Sequence, residues 1–102
     1  MRRVTLSLLA FAVLLSPACS GKRMIVGVVL PETGVAKAYG PSLKSGIKLA
    51  FDEATARKSP KGVEAWYRDS ISNPEYARKE AEELFKSGAR IIIGGATSAE
   101  AK

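Results

Sequence analysis

The sequence of 102 residues contains no histidine and a single cysteine, Cys19. Without imidazole, the side chain best suited to proton transfer near neutral pH is missing. One thiol cannot close an intramolecular disulfide in any compartment. Aromatic residues make up only 7 % of the chain, and the 16 basic residues, although they outnumber the 10 acidic ones, form no basic stripe. Lys44, Lys48, Asp52 and Glu53 are interleaved in one segment, and Arg78, Lys79, Glu80, Glu82, Glu83 and Lys86 in another, as on solvated helix faces. Nucleic-acid recognition asks for clustered basic residues with aromatic or motif support, so no nucleic-acid partner is expected. The chain also lacks G-x-G-x-x-G: the loop after its first strand-like run offers only Gly34 and Gly40, which argues against a dinucleotide site. Asp69 and Glu32 have no neighbouring acid to pair with and read as turn or loop residues. No catalytic residue, metal ligand or cofactor is expected.

Long apolar runs are equally scarce. The one near the N-terminus, Val4 to Leu15, is interrupted by Thr5 and Ser7, preceded by Arg2 and Arg3, and broken at Ser16-Pro17-Ala18-Cys19. It is shorter than the roughly 20 residues a spanning helix needs. A charged start, a short apolar core and small residues at a break are the pattern of a secretory signal; a retained anchor or a core helix is the alternative. The expected division is a signal peptide over 1–18, an anchor or linker over 19–23, and a folded segment over 24–102. Cys19 stands where a bacterial lipobox places its acylated cysteine, although Ser16 occupies the position usually held by leucine. Ordinary cleavage after Ser16-Pro17-Ala18 remains open, and both alternatives cut before Cys19. The location expected is periplasmic or cell-surface, with membrane contact only through an N-terminal lipid. The net charge of +6 falls to +4 when Arg2 and Arg3 leave with the signal.

Beyond Arg23 the apolar patterning alternates between two periods. Met24 to Leu30 is a nearly continuous β-branched run, as in a strand buried on both faces. Pro41 opens a helix to about Arg57 whose stripe is Leu43, Ile47, Ala50, Phe51 and Ala54. Gly46 interrupts it, and close approach to the sheet is the expected reason. After the turn Ser59-Pro60-Lys61-Gly62, Val63 to Arg68 reads as a half-polar edge strand. Ser72-Asn73-Pro74-Glu75 starts a second helix, with Ala77, Ala81, Leu84 and Phe85 as its buried stripe and Gly88 as its stop. Ala89 to Ile93 is a third strand, and Thr97-Ser98-Ala99-Glu100 reads as a capping box opening a third helix.

The order β-α-β-α-β-(α) predicts an α/β fold with a parallel sheet and right-handed crossovers, and the segment reads as an incomplete domain. In the flavodoxin-like order the second and third strands flank the first. Ligands then bind beyond the carboxyl ends of the strands, where that order reverses. The loops there are PETGVAKAYG (31–40) and GGATSAE (94–100). Glycines and unpaired N–H groups at the start of a helix suit an anion such as a carboxylate. Thr97 acting simply as a helix cap, with Ser98 incidental, is the competing reading.

The segments IVGVVLPETGVAKAYGPSLKSGIKLAFDEA, WYRDS and ARIIIGGATSAEA resemble the start of the leucine/isoleucine/valine-binding family of type I periplasmic binding proteins. The resemblance runs from about Met24 to Lys102 and rests on Thr33-Gly34, on Tyr39-Gly40 with Gly46-Ile47, and on Gly94 to Ser98. It implies the first part of one lobe of a two-lobed receptor. By that resemblance Ser98 holds a ligand carboxylate through its hydroxyl and N–H, Ala96 and Thr97 line the same side, and Tyr39 stands at the mouth of the first loop. Where the family often has proline after the first glycine, this chain has Gly95, so the loop is expected to be less rigid. The implied partners are a small solute, an amino acid or similar carboxylate, and the inner-membrane permease of an ABC importer. A structural lipoprotein or a sensory domain on the same fold is the alternative.

Overall fold

The computed structural model describes residues 22–57 and 62–102. The expected signal segment, Cys19 and residues 59–61 of the first turn lie outside the described residues. Five elements follow in order: β1 (Met24–Leu30), α1 (Gly40–Ala56), β2 (Val63–Asp69), α2 (Pro74–Lys86) and β3 (Ile91–Ile93). The strands form one parallel sheet in the order β2-β1-β3. This is the α/β, flavodoxin-like arrangement expected of a type I binding-protein lobe. The step from β1 to β2 runs one way across the sheet and the step from β2 to β3 runs back. Crossovers of one hand therefore put α1 and α2 on opposite faces.

Period-two alternation along β1 supplies both cores. Val26, Val28 and Leu30 pack with Val63, Ala65 and Tyr67 under Ile47 and Phe51 of α1. Ile25 and Val29 face the other way, with Trp66 and Ile92, under Ala77, Ala81 and Leu84 of α2. Gly27 sits between Trp66 and Ile92 in the register. A Cβ there would lie 2.6 Å from Ile92 Cδ1 and 2.8 Å from Leu84 Cδ1. Its bare backbone is the seat into which α2 sinks.

Both helices obey their sequence signals at the ends. Asn73 caps α2, its side chain accepting from Tyr76 N–H at 3.0 Å, and proline follows. Gly88 closes the helix: its N–H bonds Phe85 O at 3.1 Å and Ala89 N–H bonds Leu84 O at 2.9 Å, the paired pattern of a Schellman stop. Ala89 of the expected strand is thus spent terminating the helix, Arg90 N–H already bonds Ile25 O of β1 at 2.9 Å, and β3 runs from Ile91.

Three expectations are corrected. Phe85 is 52 % exposed, because the buried face of α2 is centred on Ala77, Ala81 and Leu84, and Phe85 lies about 100° around the helix from Leu84. Gly46 has nothing within 4 Å of where its Cβ would stand, so no close approach explains it. Residues 98–101 form a hydrogen-bonded turn, not a helix. Glu100 and Ala101 both donate their N–H to Thr97 O at 3.1 Å, but no helical ladder continues among the described residues.

Candidate functional site

Parallel strands place the loops after β1, β2 and β3 at one edge of the sheet. The loop after β1 is the most tightly held. Glu32 and Thr33 donate their N–H groups to Asp69 Oδ1 at 2.9 and 3.2 Å, and the Thr33 hydroxyl reaches Asp69 Oδ2 at 2.6 Å. Ile71 N–H adds a bond to Oδ1 at 2.8 Å. Burial pushes the Asp69 carboxyl up, but the Thr33 hydroxyl and the N–H groups of Ile71, Thr33 and Glu32 outweigh it and hold the group below the usual aspartate value. Farther along, Ala36 N–H donates to Ser72 Oγ at 3.0 Å, and that hydroxyl donates to Thr33 O at 2.7 Å. Between them Gly34 turns at φ 87, where a Cβ would come within 2.5 Å of Ile71 O; a side chain is barred both by conformation and by space. From the other side Lys44 of α1 bonds Glu32 Oε1 at 2.5 Å and lies 5.0 Å from the centre of the Tyr67 ring. The Glu32 hydrogen bond raises the Lys44 ammonium above its usual value, against a small opposing effect of burial. Glu32 and Asp69 are thus structural, engaged in positioning the loop.

Tyr39 ends this loop as the N-cap residue of α1. Its N–H bonds Ala36 O and its carbonyl accepts Leu43 N–H, each at 3.1 Å, while the side chain is 61 % exposed. The buried Gly40 next to it lies against Pro31 O, 2.6 Å from where a Cβ would be. The helix start, and Tyr39 with it, is thereby seated on the end of β1.

The loop after β3 is shorter. Gly95 turns at φ 73. Ala96 and Thr97 are half-buried and Ser98 is exposed. Thr97 does act as a cap, its hydroxyl accepting Glu100 N–H at 3.3 Å. The reciprocal half of the expected capping box is absent. Glu100 instead accepts the Ser70 hydroxyl on Oε1 at 2.5 Å, and its Oε2 is buried without a partner among the described residues. The Ser98 hydroxyl and the N–H groups of Thr97, Ser98 and Ala99 donate to no group among the described residues. They leave a short row of donors at the edge, with no carboxylate bonded to them among the described residues.

Tyr39 and Ser98 therefore lie at the same end of the strands, one on each loop, as the sequence led one to expect. What sequence reasoning missed is that the loop after β2 bonds to both of those loops, to Thr33 and Ala36 in the first and to Glu100 in the second. A groove of about 640 Å³ also opens between α2 and the last turn, lined by Ala77, Arg78, Ala81, Ile92 and Gly95, but none of Tyr39, Ala96, Thr97 or Ser98 lines it. Among the described residues no group of histidine, cysteine or acidic residues is arranged to hold a metal, and no helix is long and apolar enough to cross a membrane.

A sequence model of the periplasmic binding protein family matches residues 24–102. Two curated relatives, each a Leu/Ile/Val-binding protein homolog 2, come from Brucella abortus strain 2308 and from Brucella abortus biovar 1 strain 9-941. Each is 30 % identical over 73 residues, which cover 70 % of this chain and 20 % of the relative. The chain thus spans about a fifth of the length of the relatives it matches. No solved structure gives a significant match.

Proposed function

Because the chain belongs to the periplasmic binding protein family, a family of binding proteins and not of enzymes, we propose that it forms the opening part of the first lobe of a receptor for a small carboxylated solute. The relatives carry Leu/Ile/Val-binding in their name, and a branched-chain amino acid is the solute chemistry we assign. Ser98 takes the α-carboxylate through its hydroxyl and N–H, the backbone of Ala96 and Thr97 lines that side, and Tyr39 covers the solute from the first loop. The receptor delivers its solute to an ABC importer. Residues 1–18 direct export to the periplasm or cell surface, and Cys19 becomes the acylated N-terminus of the mature protein.

The observation that carries this reading is the row of unpartnered donors at Thr97, Ser98 and Ala99, at the point where strand order reverses. Several adjacent N–H groups without partners attract an anion more strongly than any one of them does. A zwitterionic amino acid brings its carboxylate to that point and leaves its side chain to the loops.

Titration of the ¹⁵N-labelled chain with leucine tests the proposal. Leucine is expected to shift the amide resonances of Thr97, Ser98, Ala99 and Tyr39, and Ser98→Ala to remove the shifts at 97–99. 3-Methylbutylamine, which is leucine without its carboxylate, is expected to cause no shift at 97–99. Shifts from leucine confined to other parts of the chain, or equal shifts from the amine, overturn the assignment.

A further inference from the structure

The loop between β2 and α2, residues 70–73, holds an unusual backbone. Ile71 and Ser72 are consecutive non-glycine residues at φ 49 and 57, in the left-handed region that a β-branched side chain rarely enters. Ile71 remains 44 % exposed, so deep packing of its side chain does not offset the conformation. Strain of this kind persists where surrounding contacts over-determine it, and the contacts here are specific. The bend turns Ser72 Oγ toward the first loop, where it meets Ala36 N–H and Thr33 O. Asp69, just before the bend, gathers Glu32 and Thr33.

Ser70 faces the other way. It is fully buried, its N–H bonds Leu30 O at the end of β1 at 2.8 Å, and its hydroxyl reaches Glu100 in the turn that carries Ser98. Since β1 lies between β2 and β3, the Ser70–Glu100 bond passes over the end of the central strand. Among the described residues no hydrogen bond joins the first loop directly to the turn at 97–101. The two loops share a frame of reference through the loop after β2.

Resting on the function proposed above, we infer that Asp69, Ser70 and Ser72 are positioning residues for solute binding: the β2–α2 loop is a bracket, with Asp69 and Ser72 setting the Tyr39 loop and Ser70 setting the Ser98 turn. None of the three needs to touch the solute. Asp69 and Ser72 bond to the first loop and not to the turn at 97–101, whereas the Ser70 hydroxyl bonds Glu100 at 2.5 Å and accepts Ser72 N–H at the longer 3.3 Å, so its stronger bond is to the Ser98 side.

The test uses the ¹⁵N-labelled chain with Asp69→Asn and Ser70→Ala, read in two ways. Without solute, Asp69→Asn is expected to speed amide hydrogen exchange at Glu32 and Thr33 by roughly tenfold, the factor that corresponds to loss of a charge-assisted hydrogen bond. Exchange along β1 and α2 stays unchanged. With leucine, Asp69→Asn is expected to reduce the shift at Tyr39 at least twofold and to spare that at Ser98; Ser70→Ala is expected to reduce the shift at Ser98 more than that at Tyr39. If Asp69→Asn does not fold, Ser72→Ala removes only the bonds to Ala36 and Thr33 and is expected to reproduce the Asp69→Asn pattern at smaller size. Equal effects of both variants on both loops, faster exchange throughout the sheet, or no change at either loop overturn the bracket. An unsubstituted chain that leucine does not shift overturns the solute-binding reading instead, and the bracket is then decided by the exchange rates, which need no solute.

Discussion

Asp69 accepts four hydrogen bonds on one carboxylate, three of them from groups of the first loop. Hydrogen bonds to a charged acceptor contribute about 1.5–3 kcal/mol, so Asp69→Ala is expected to lower unfolding free energy at pH 7 by about 2 kcal/mol. The pH dependence follows from the direction of its shift. A carboxyl held below its ordinary value in the folded chain adds stability above the unfolded aspartate pKa and loses it as pH falls through the folded one. Denaturant melts from pH 6 to pH 2 are expected to show a shallower acid loss in Asp69→Asn than in the unsubstituted chain; identical slopes would contradict this. Gly34→Ala strikes the same contact from the opposite side, since the new Cβ meets Ile71 O at a φ of 87. It is expected to cost about 1–3 kcal/mol, measured as a lower denaturation midpoint. Little of this network was legible in the sequence. Asp69 stands at a strand end in a segment rich in turn formers, and a turn role can be read from that. Its partners lie 36 and 37 residues earlier, beyond the reach of any local pattern. The placement of Ser98 was legible, since parallel strand order alone sends its loop to the same edge of the sheet as the Tyr39 loop.

The two helices show how far periodicity carries at the scale of the element. Both were legible to within a residue or two, because proline and asparagine mark their starts and glycine the stop of α2. Their buried faces were less so. A stripe read at 3.6 residues per turn gives a sector of the helix, but what covers each residue depends on the width of the sheet beneath. Ile47 and Phe51 of α1 reach the sheet, whereas Leu43 is 39 % exposed and Ala50 is exposed. On β3, Ile91 and Ile93 are 47 % and 37 % exposed: they lie on the same face as Val26 and Val28, but α1 covers β2 and β1 and does not extend over β3; the run of isoleucines announces burial that the described residues do not supply. Gly46 offers the cleanest test at this scale. It is exposed, helical and free of neighbours at its Cβ, so Gly46→Ala is expected to stabilise the chain by about 0.5–1 kcal/mol. Thermal melting should show a rise of about 2–6 °C. A fall would mean that Gly46 meets something the described residues do not include.

At the scale of the whole molecule, affinity is set by how much of the solute the chain encloses. In the proposed site the described residues supply one wall: the donors at 97–99 on one side and the exposed Tyr39 on the other, at the ends of three strands. High affinity in a two-lobed receptor comes from closure, which removes the solute from water on all sides and strengthens each polar contact. A single wall leaves the carboxylate partly hydrated, so each new hydrogen bond replaces one to water at a net gain of only about 0.5–1.5 kcal/mol, or up to about 3 for a charged group. Two or three such bonds must also offset the loss of translational and rotational freedom. The balance corresponds to a dissociation constant in the millimolar range, about −4 kcal/mol. Leucine is therefore expected to saturate the chain only at millimolar concentration, with fast exchange in the resonance titration and no measurable heat at micromolar concentration in calorimetry. Adding sodium chloride at several times the leucine concentration is expected to weaken the shifts at 97–99 through competition of chloride for the same N–H groups. Micromolar binding by these residues alone would mean that the loops enclose the solute without a second wall, and the account of affinity through closure would then fail.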